Sequence, residues 1–507
     1  MLRRPFAPSL IAFSVALFLL SCAPSTFPTP LEEGEEGYLT SHEDMLRFLG
    51  ELRDATGAFT MEPIGASVEE RDLVLLHFPG ADGPGEGTGE KLKVLIFAQQ
   101  HGNEPSGKEA AIALARDIAT GAFSDILGHV DFYLIPQVNP DGSEARQRTN
   151  ADGKDLNRDH IALFTPEVLA VHQAFQGIMP EVVLDVHEYG ITSSAWLDIG
   201  VRKNFGQQIG ALSNANMSMA LRSYALDRVI PEMRETLSSR DVSLNRYLVS
   251  SGPAARFRYS TTALNDGRNS TGIYNALTFL IEGRNGLSVE ENIRERARQQ
   301  LETMKAFLSF FDEHAAEVKT MVAAEQAKLS GDTPPEEVAL VMDYVEDPDR
   351  PTVTVGVVDA ETGAESTMTI EYFHPIVEAT LFVPRPLGYA IPAQLTGVIE
   401  ALERHGIPMT PSDGSTSAIV ESYRIESVTP TRKEDKDFLE VGVVSRRGAM
   451  ELPADHVLVW CAGIQSNLIV SLLEPQSQWG LAPLPEFSSL LEVGSDYPIL
   501  RILERED

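Results

Sequence analysis

A histidine and a glutamate three residues apart, His101 and Glu104, stand in "QQHGNEPSGKE", where the apolar run "LKVLIFA" gives way to "EAAIALARDI". Imidazole and carboxylate are ligand types that zinc takes, and a catalytic zinc uses three protein ligands and leaves one position open. An H-x-x-E turn also occurs as a plain polar loop, so the pair needs a third partner. His187 offers one at the end of "EVVLDVHE", where Asp185, His187 and Glu188 interrupt the hydrophobic residues; the alternative is an imidazole satisfied by a backbone carbonyl. Glu282 closes a further apolar run, "ALTFLIEG". A carboxylate there must pair, ligate or act as a base, because an unpaired buried charge is costly, and Arg284 offers a structural ion pair as the alternative. Between these runs lies "NPDGSEARQRTNADGKDLNRDH", dense in Asn, Asp and Arg. It reads either as a solvated loop or as a guanidinium-rich wall for carboxylates, whose geometry arginine forks match.

Such residues act together only if the fold gathers them. From about Leu39 to Leu329, short apolar runs alternate with helical stretches, which predicts an α/β domain on a mixed, mostly parallel sheet with helices on both faces. Its strands are "LKVLIFA", "DFYLIPQ", "EVVLDVHE" and "ALTFLIEG". Ligands in such sheets bind beyond the carboxyl ends of the strands, and all four polar clusters fall at such ends. A long helical segment begins at "SVEENIRERARQQLETMKAFLSFF", with Ser288 and Glu291 spaced as a capping box. It closes near "KLSGDTPPEE", a Gly/Pro-rich linker that marks the domain boundary. Beyond it, "PTVTVGVV", "STMTIEY" and "VEATLFV" alternate as half-buried strands, and "AQLTGVIEALERHGI" is an amphipathic helix ending at His405. A cationic His405 there suits the helix dipole. The expected division is a catalytic domain over 38–330 and a smaller β-rich accessory domain over 338–507.

In this order and at these separations, "HGNE", "NPDG…RQRTNADGKDLNR", "LDVHE" and "FLIEGR" resemble the zinc metallocarboxypeptidase family, carboxypeptidase A-like, over about Tyr38 to Leu329. The resemblance implies one zinc ion per chain, held by His101, Glu104 and His187, and Glu282 as general base. Arg148 matches the arginine that stabilises the oxyanion, Asn157 and Arg158 the pair that grips a terminal carboxylate, and Asp155 the carboxylate that orients the first histidine. For the family's substrate-contacting tyrosine, Tyr259 lies near the expected place and Tyr274 is a rival. Arg268 either binds substrate or braces its loop. The implied activity is removal of C-terminal residues from peptides. The same scaffold also resembles cell-wall amidases and N-acyl deacylases, with peptidoglycan-derived substrates, and a non-catalytic binding lipoprotein is the reading from another class. "PRPLGYAIP" and "NLIVSLLEPQSQWGL" resemble the C-terminal extension of some bacterial members.

At 507 residues, 43% hydrophobic and 23% charged, the chain has ordinary globular composition. Its 41 basic against 74 acidic residues give a net charge of −33, which repels nucleic acid and anionic head groups. Arg3 and Arg4 precede "LIAFSVALFLL", an apolar run of signal-peptide length too short for a membrane span. "LLSC" then resembles the lipobox of bacterial lipoproteins, with a plain secretory signal as the alternative. The expectation is a leader over 1–21, lipidation at Cys22 and a flexible acidic tether over 22–37. That describes an exported lipoprotein at the periplasm or cell surface that meets the membrane only through its anchor. Cys461, in "HVLVWCAG", reads as a small buried hydrophobe.

Overall fold

A computed structural model describes residues 27–80, 91–191, 194–250, 256–330, 337–433 and 436–505. The expected leader and Cys22 lie outside the described residues. The first part of the chain contributes β1 (Thr60–Ala66), β2 (Asp72–Phe78), β3 (Leu92–Ala98), β4 (Val130–Ile135), β5 (Val182–Tyr189), β6 (Val201–Lys203), β7 (Gln207–Ala211), β8 (Leu244–Arg246), β9 (Leu248–Val249), β10 (Arg258–Tyr259) and β11 (Leu277–Arg284). Among the described residues, eight of these form one sheet in the order β1-β2-β4-β3-β5-β11-β7-β8. The central strands β4, β3, β5 and β11 run parallel, and the flanking pairs β1/β2, β2/β4 and β7/β11 run antiparallel. This is the mixed, mostly parallel sheet expected. Strands covered on both faces are apolar throughout, and every residue of β5 is buried.

Alternation along β5 decides which side chains reach the site. Glu188 points to the face covered by the helices Ser106–Ala119 and Ile293–Glu313, where Arg296 pairs with it at 2.7 Å and the Ser106 N–H donates to it. Asp185 and His187 point to the other face, toward the short helix Gly267–Gly272.

The rest of the chain adds β12 (Glu337–Val345), β13 (Val353–Asp359), β14 (Glu365–Ile370), β15 (Ile376–Pro384), β16 (Gly388–Pro392), β17 (Met409–Pro411), β18 (Ser417–Lys433), β19 (Lys436–Glu451), β20 (His456–Trp460) and β21 (Leu500–Arg505), with the predicted helix at Thr396–Arg404. It is β-rich as expected, but it is not a separate body. Strand β6 of the first part pairs with β13 of the second, and one apolar cluster runs from Met45 through Leu340 and Tyr389 to Ile499.

Three expectations are corrected. The described part of the supposed tether is packed: Pro30–Glu33 is a helix capped by Thr29, Leu31 is buried against Ile293 and Ala297, and Glu32 pairs with Arg116 at 2.6 Å. The long helix starts at Ile293 rather than after Ser288, because Asn292 adopts φ +53° and re-aims the chain; it breaks at His314, before Ala315–Ser330. His405 does follow the last turn of its helix but is buried and neutral, because burial pulls it down to about 4. Its Nε2–H donates to Ile161 O at 2.8 Å. Cys461 is buried as expected, and burial pushes its thiol up to about 12. Among the described residues, no helix is long and apolar enough to cross a membrane.

Because the two parts share a sheet and a core, a chain ending at Ser330 is expected to lose cooperative unfolding, measured by circular dichroism on heating. A truncated chain that melts cooperatively within a few degrees of the full one contradicts the shared core.

Candidate metal centre

The chain leaves β3 through Gln99, a non-glycine residue at φ +57°, and this left-handed step turns the next residues over the end of the sheet. Such strain persists where surrounding contacts over-determine the backbone. Here, Gln99 Nε2 donates to Gly102 O and Ser143 Oγ at 3.0 and 3.1 Å. Gly102 has no room for a side chain, since a Cβ would sit 2.0 Å from the carbonyl carbon of Gly142, so "HGNE" and "NPDG" meet backbone to backbone. The turn closes with Glu104 N–H donating to His101 O at 3.1 Å, which folds both side chains onto one point.

His187 reaches that point from β5. The ligand atoms of His101, Glu104 and His187 all lie within 4.8 Å of one another. His101 Nδ1 is 2.9 Å from Glu104 Oε1, and His187 Nδ1 is 3.1 Å from both Glu104 Oε2 and His101 Nδ1. The far nitrogens are held by acids: His101 Nε2 lies 3.0 Å from Asp155 Oδ1, and His187 Nε2 2.9 Å from Asp185 Oδ1. Carboxylates accept Nε2–H, which leaves each Nδ1 as a bare lone pair. Two lone pairs and a carboxylate aimed at one point repel unless a cation lies among them, so the residues fit a zinc ion. The electrostatics agree. Burial opposes a charge on His187, but Asp185 and Glu104 outweigh it and raise its affinity for a proton well above the usual value. Burial likewise works against ionised Glu104 and Asp155, yet both are held well below the carboxylate range, Glu104 by His101 and His187, Asp155 by His101, Arg148 and Arg158.

Glu282 sits on β11 directly opposite His187 in the parallel register. It lines the same cavity of about 250 Å³, and burial followed by the charge of Glu104 pushes its carboxyl up. Arg148 donates from Nε to Asp155 Oδ2 at 3.0 Å, and its Nη1 lies 3.4 Å from Glu104 Oε1. The alternative reading, an ion pair of Glu282 with Arg284, is not seen among the described residues; Arg284 reaches Asn204 instead.

Asn157 and Arg158 line the cavity unequally. Asn157 is committed to the frame, its Oδ1 accepting Gly267 N–H at 2.9 Å and its Nδ2 lying 3.2 Å from His187 Nε2. Arg158 stays exposed and donates to Asn157 O, so its guanidinium is open to a substrate. Arg268 also lines the cavity, but its guanidinium is buried and bonded to Ser260 Oγ, Thr261 O and Asp266, which is the bracing alternative.

Neither proposed tyrosine lines this cavity. The Tyr259 ring is turned away, with the Arg246 guanidinium 3.5 Å from its centroid and Phe373 edge-on at 5.0 Å. Tyr274 is buried in the core beside Phe175. Two tyrosines line the cavity, Tyr189 and Tyr247, and at Tyr247 burial followed by the charge of Glu282 pushes the hydroxyl far up. Lys203 is the other unforeseen neighbour of Glu282: burial brings its ammonium down to about 8 while the Glu282 charge acts the opposite way. Both sit in short strand-like runs, "LNRYLV" and "VRKNF", with nothing in spacing or composition to single them out.

A chain of oriented hydrogen bonds stands behind Asp185. Gln100 Nε2 donates to both Asp185 oxygens at 3.0 and 2.9 Å, so Gln100 Oε1 accepts from His160 Nε2–H at 2.8 Å. His160 Nδ1 is then an acceptor, and His172 Nε2–H donates to it at 2.9 Å. His172 Nδ1 has no partner, which suits the neutral ring, and the His405 ring stands perpendicular to it with centroids 5.5 Å apart. Burial pulls His160 down to about 4 and His172 well below the usual imidazole value. The helix Gly267–Gly272 presses against this chain, and a Cβ on Gly267 would lie 2.6 Å from Asp185 Oδ2.

Residues 45–183 match the family model described as "Zinc carboxypeptidase". The match covers His101, Glu104, Arg148 and Asp155 and ends before His187 and Glu282, which the β5–β11 register brings to the same point. The chain is similar to "Carboxypeptidase 2" of Trichophyton tonsurans, with 24% identity over 95% of this chain and 89% of that protein. It is also similar to "Carboxypeptidase E" of Caenorhabditis elegans, with 32% identity over 26% of this chain and 31% of the relative. Among solved structures, it is similar to a metallo-carboxypeptidase from Burkholderia cenocepacia, with 23% identity, 55% of this chain and 70% of that chain covered, and a TM-score of 0.43.

Residues that orient a histidine ligand through its far nitrogen change metal affinity by roughly 10- to 100-fold. Asp185→Ala is therefore expected to weaken zinc binding by about that factor, and His160→Leu by less, in competition with a chromogenic chelator. Unchanged affinity in Asp185→Ala contradicts the orienting role.

Proposed function

We infer that this metallopeptidase, a hydrolase whose ligand-bearing segment is of zinc carboxypeptidase type, removes C-terminal residues from peptides at a single zinc centre formed by His101, Glu104 and His187. The observation that carries the reading is the pair of Nδ1 atoms turned toward Glu104, with Glu282 lining the same cavity. When bound, zinc supplies a Lewis acid that polarises the scissile carbonyl and makes water acidic enough to lose a proton near neutral pH.

The chain's own residues supply the rest. Glu282 takes the proton of the attacking water on a carboxylate oxygen and passes it to the leaving amine nitrogen, and its burial keeps it basic enough for both steps. Arg148, anchored by Asp155, donates toward the negative charge that develops on the carbonyl oxygen. Arg158, exposed at the cavity, grips the substrate's terminal carboxylate as a fork, with Asn157 fixing the backbone beside it. Tyr247 closes the wall next to Glu282. The sequence around Cys22 extends the proposal to an exported lipoprotein, acting outside the cytoplasm on peptides or peptidoglycan-derived fragments.

Thorough chelation is expected to abolish hydrolysis of peptides with a free carboxyl terminus, and zinc to restore it. Glu282→Gln is expected to lower kcat by roughly 10²- to 10⁴-fold with zinc content unchanged. Activity that survives chelation contradicts the proposal. Equal hydrolysis of amidated peptides or muropeptides assigns the activity to an amidase instead.

A further inference from the structure

A second cavity of about 230 Å³ opens beside the metal cavity and shares two walls with it, Tyr247 and Ser260. Tyr247 lines the metal cavity together with Glu282, so this space begins one side chain away from the proposed base. Its far wall comes from the C-terminal part of the chain, through Tyr344, Ile376 and Val377.

Two arginines line it, Arg222 and Arg246. Most arginines of the metal site are matched with acids, Arg148 with Asp155 and Arg268 with Asp266. Arg222 and Arg246 have no carboxylate in the described ion pairs, in a chain with 74 acidic residues against 41 basic. Arg222 donates from Nη2 to Asn214 O at 2.5 Å, while its buried Nε has no partner. Arg246 stands over the Tyr259 ring, its guanidinium carbon 3.5 Å from the centroid, a cation–π contact that holds the group at the cavity wall. Burial pushes both guanidinium groups down, with Tyr344 acting the opposite way on both and Tyr259 also on Arg246. Among the remaining walls are the aliphatic side chains of buried Ile209, half-buried Leu226 and exposed Met219 and Ile376, beside the hydroxyl-bearing Ser213 and Ser260. A short methylene stem ending in a carboxylate meets each of these surfaces with its own kind.

Resting on the carboxypeptidase reading above, we propose that this cavity is a specificity pocket for an acidic side chain, glutamate or aspartate, on a substrate residue flanking the scissile bond, with Arg222 and Arg246 binding its carboxylate. Tyr259, the tyrosine expected to contact substrate beside the metal site, instead carries the Arg246 guanidinium on its ring.

The test compares peptides that differ only in Glu against Gln, at the last and at the penultimate position, on the zinc-loaded protein. Because hydrogen bonds to charged groups are the stronger kind, Glu is expected to exceed Gln in kcat/KM by about tenfold or more at one of the two positions. That ratio is expected to fall toward one in Arg246→Gln and, separately, in Arg222→Gln. Gln handled as well as Glu at both positions overturns the pocket, as does a preference that persists in both variants. Calorimetry of the same peptides on Glu282→Gln reads the pocket without turnover. Glu-selective binding there, with no hydrolysis by the wild type, overturns the carboxypeptidase reading alone; equal binding of Glu and Gln peptides overturns the pocket alone.

Discussion

Two carboxylates turned to the backs of two imidazoles set the chemistry of this protein. With Asp155 accepting from His101 Nε2 and Asp185 from His187 Nε2, each ring is left with a bare Nδ1, and the two Nδ1 atoms face each other at 3.1 Å beside Glu104. That arrangement is repulsive in itself and becomes favourable around a divalent cation. Much of the surrounding fold serves to keep it. The left-handed step at Gln99 delivers His101, the contact of Gly102 with Gly142 holds the loop that leads to Arg148 and Asp155, and the β5–β11 register sets Glu282 beside His187.

The same constraint reaches into the rest of the molecule through directional hydrogen bonds. Gln100 can donate to Asp185 only because its oxygen accepts from His160, and His160 can donate only because its other nitrogen accepts from His172. The end of this chain touches His405, from the part of the sequence that looked like an independent accessory domain. That part also pairs its strand β13 with β6 and shares the apolar core of the catalytic part, and it walls the cavity that holds Arg222 and Arg246. It is better described as a component of the site's architecture than as an appendage.

The central strands were legible because a parallel strand buried on both faces is apolar along its length, so "LKVLIFA", "EVVLDVHE" and "ALTFLIEG" stand out and the acids and histidines at their ends stand out further. His101, Glu104, His187 and Glu282 were found for that reason, and the structure brings all four together. Tyr247 and Lys203 were not, because their relation to Glu282 depends on how β6, β7 and the residues after β8 fold around β11, and no local pattern encodes that. The capping box at Ser288 failed on the αL backbone of Asn292, and the tether failed on Leu31, a single apolar residue whose partners Ile293 and Ala297 lie far along the chain. His405 was placed at a helix end correctly and charged incorrectly, since burial is not visible in a local sequence.

The most direct measurement is anomalous scattering at the zinc edge from crystals of the zinc-loaded protein. The account predicts one peak per chain, about 2.0 to 2.2 Å from His101 Nδ1, His187 Nδ1 and a Glu104 oxygen, with Asp155 and Asp185 still on the two Nε2 atoms. A peak bound through either Nε2, or one lying away from these three residues, contradicts it.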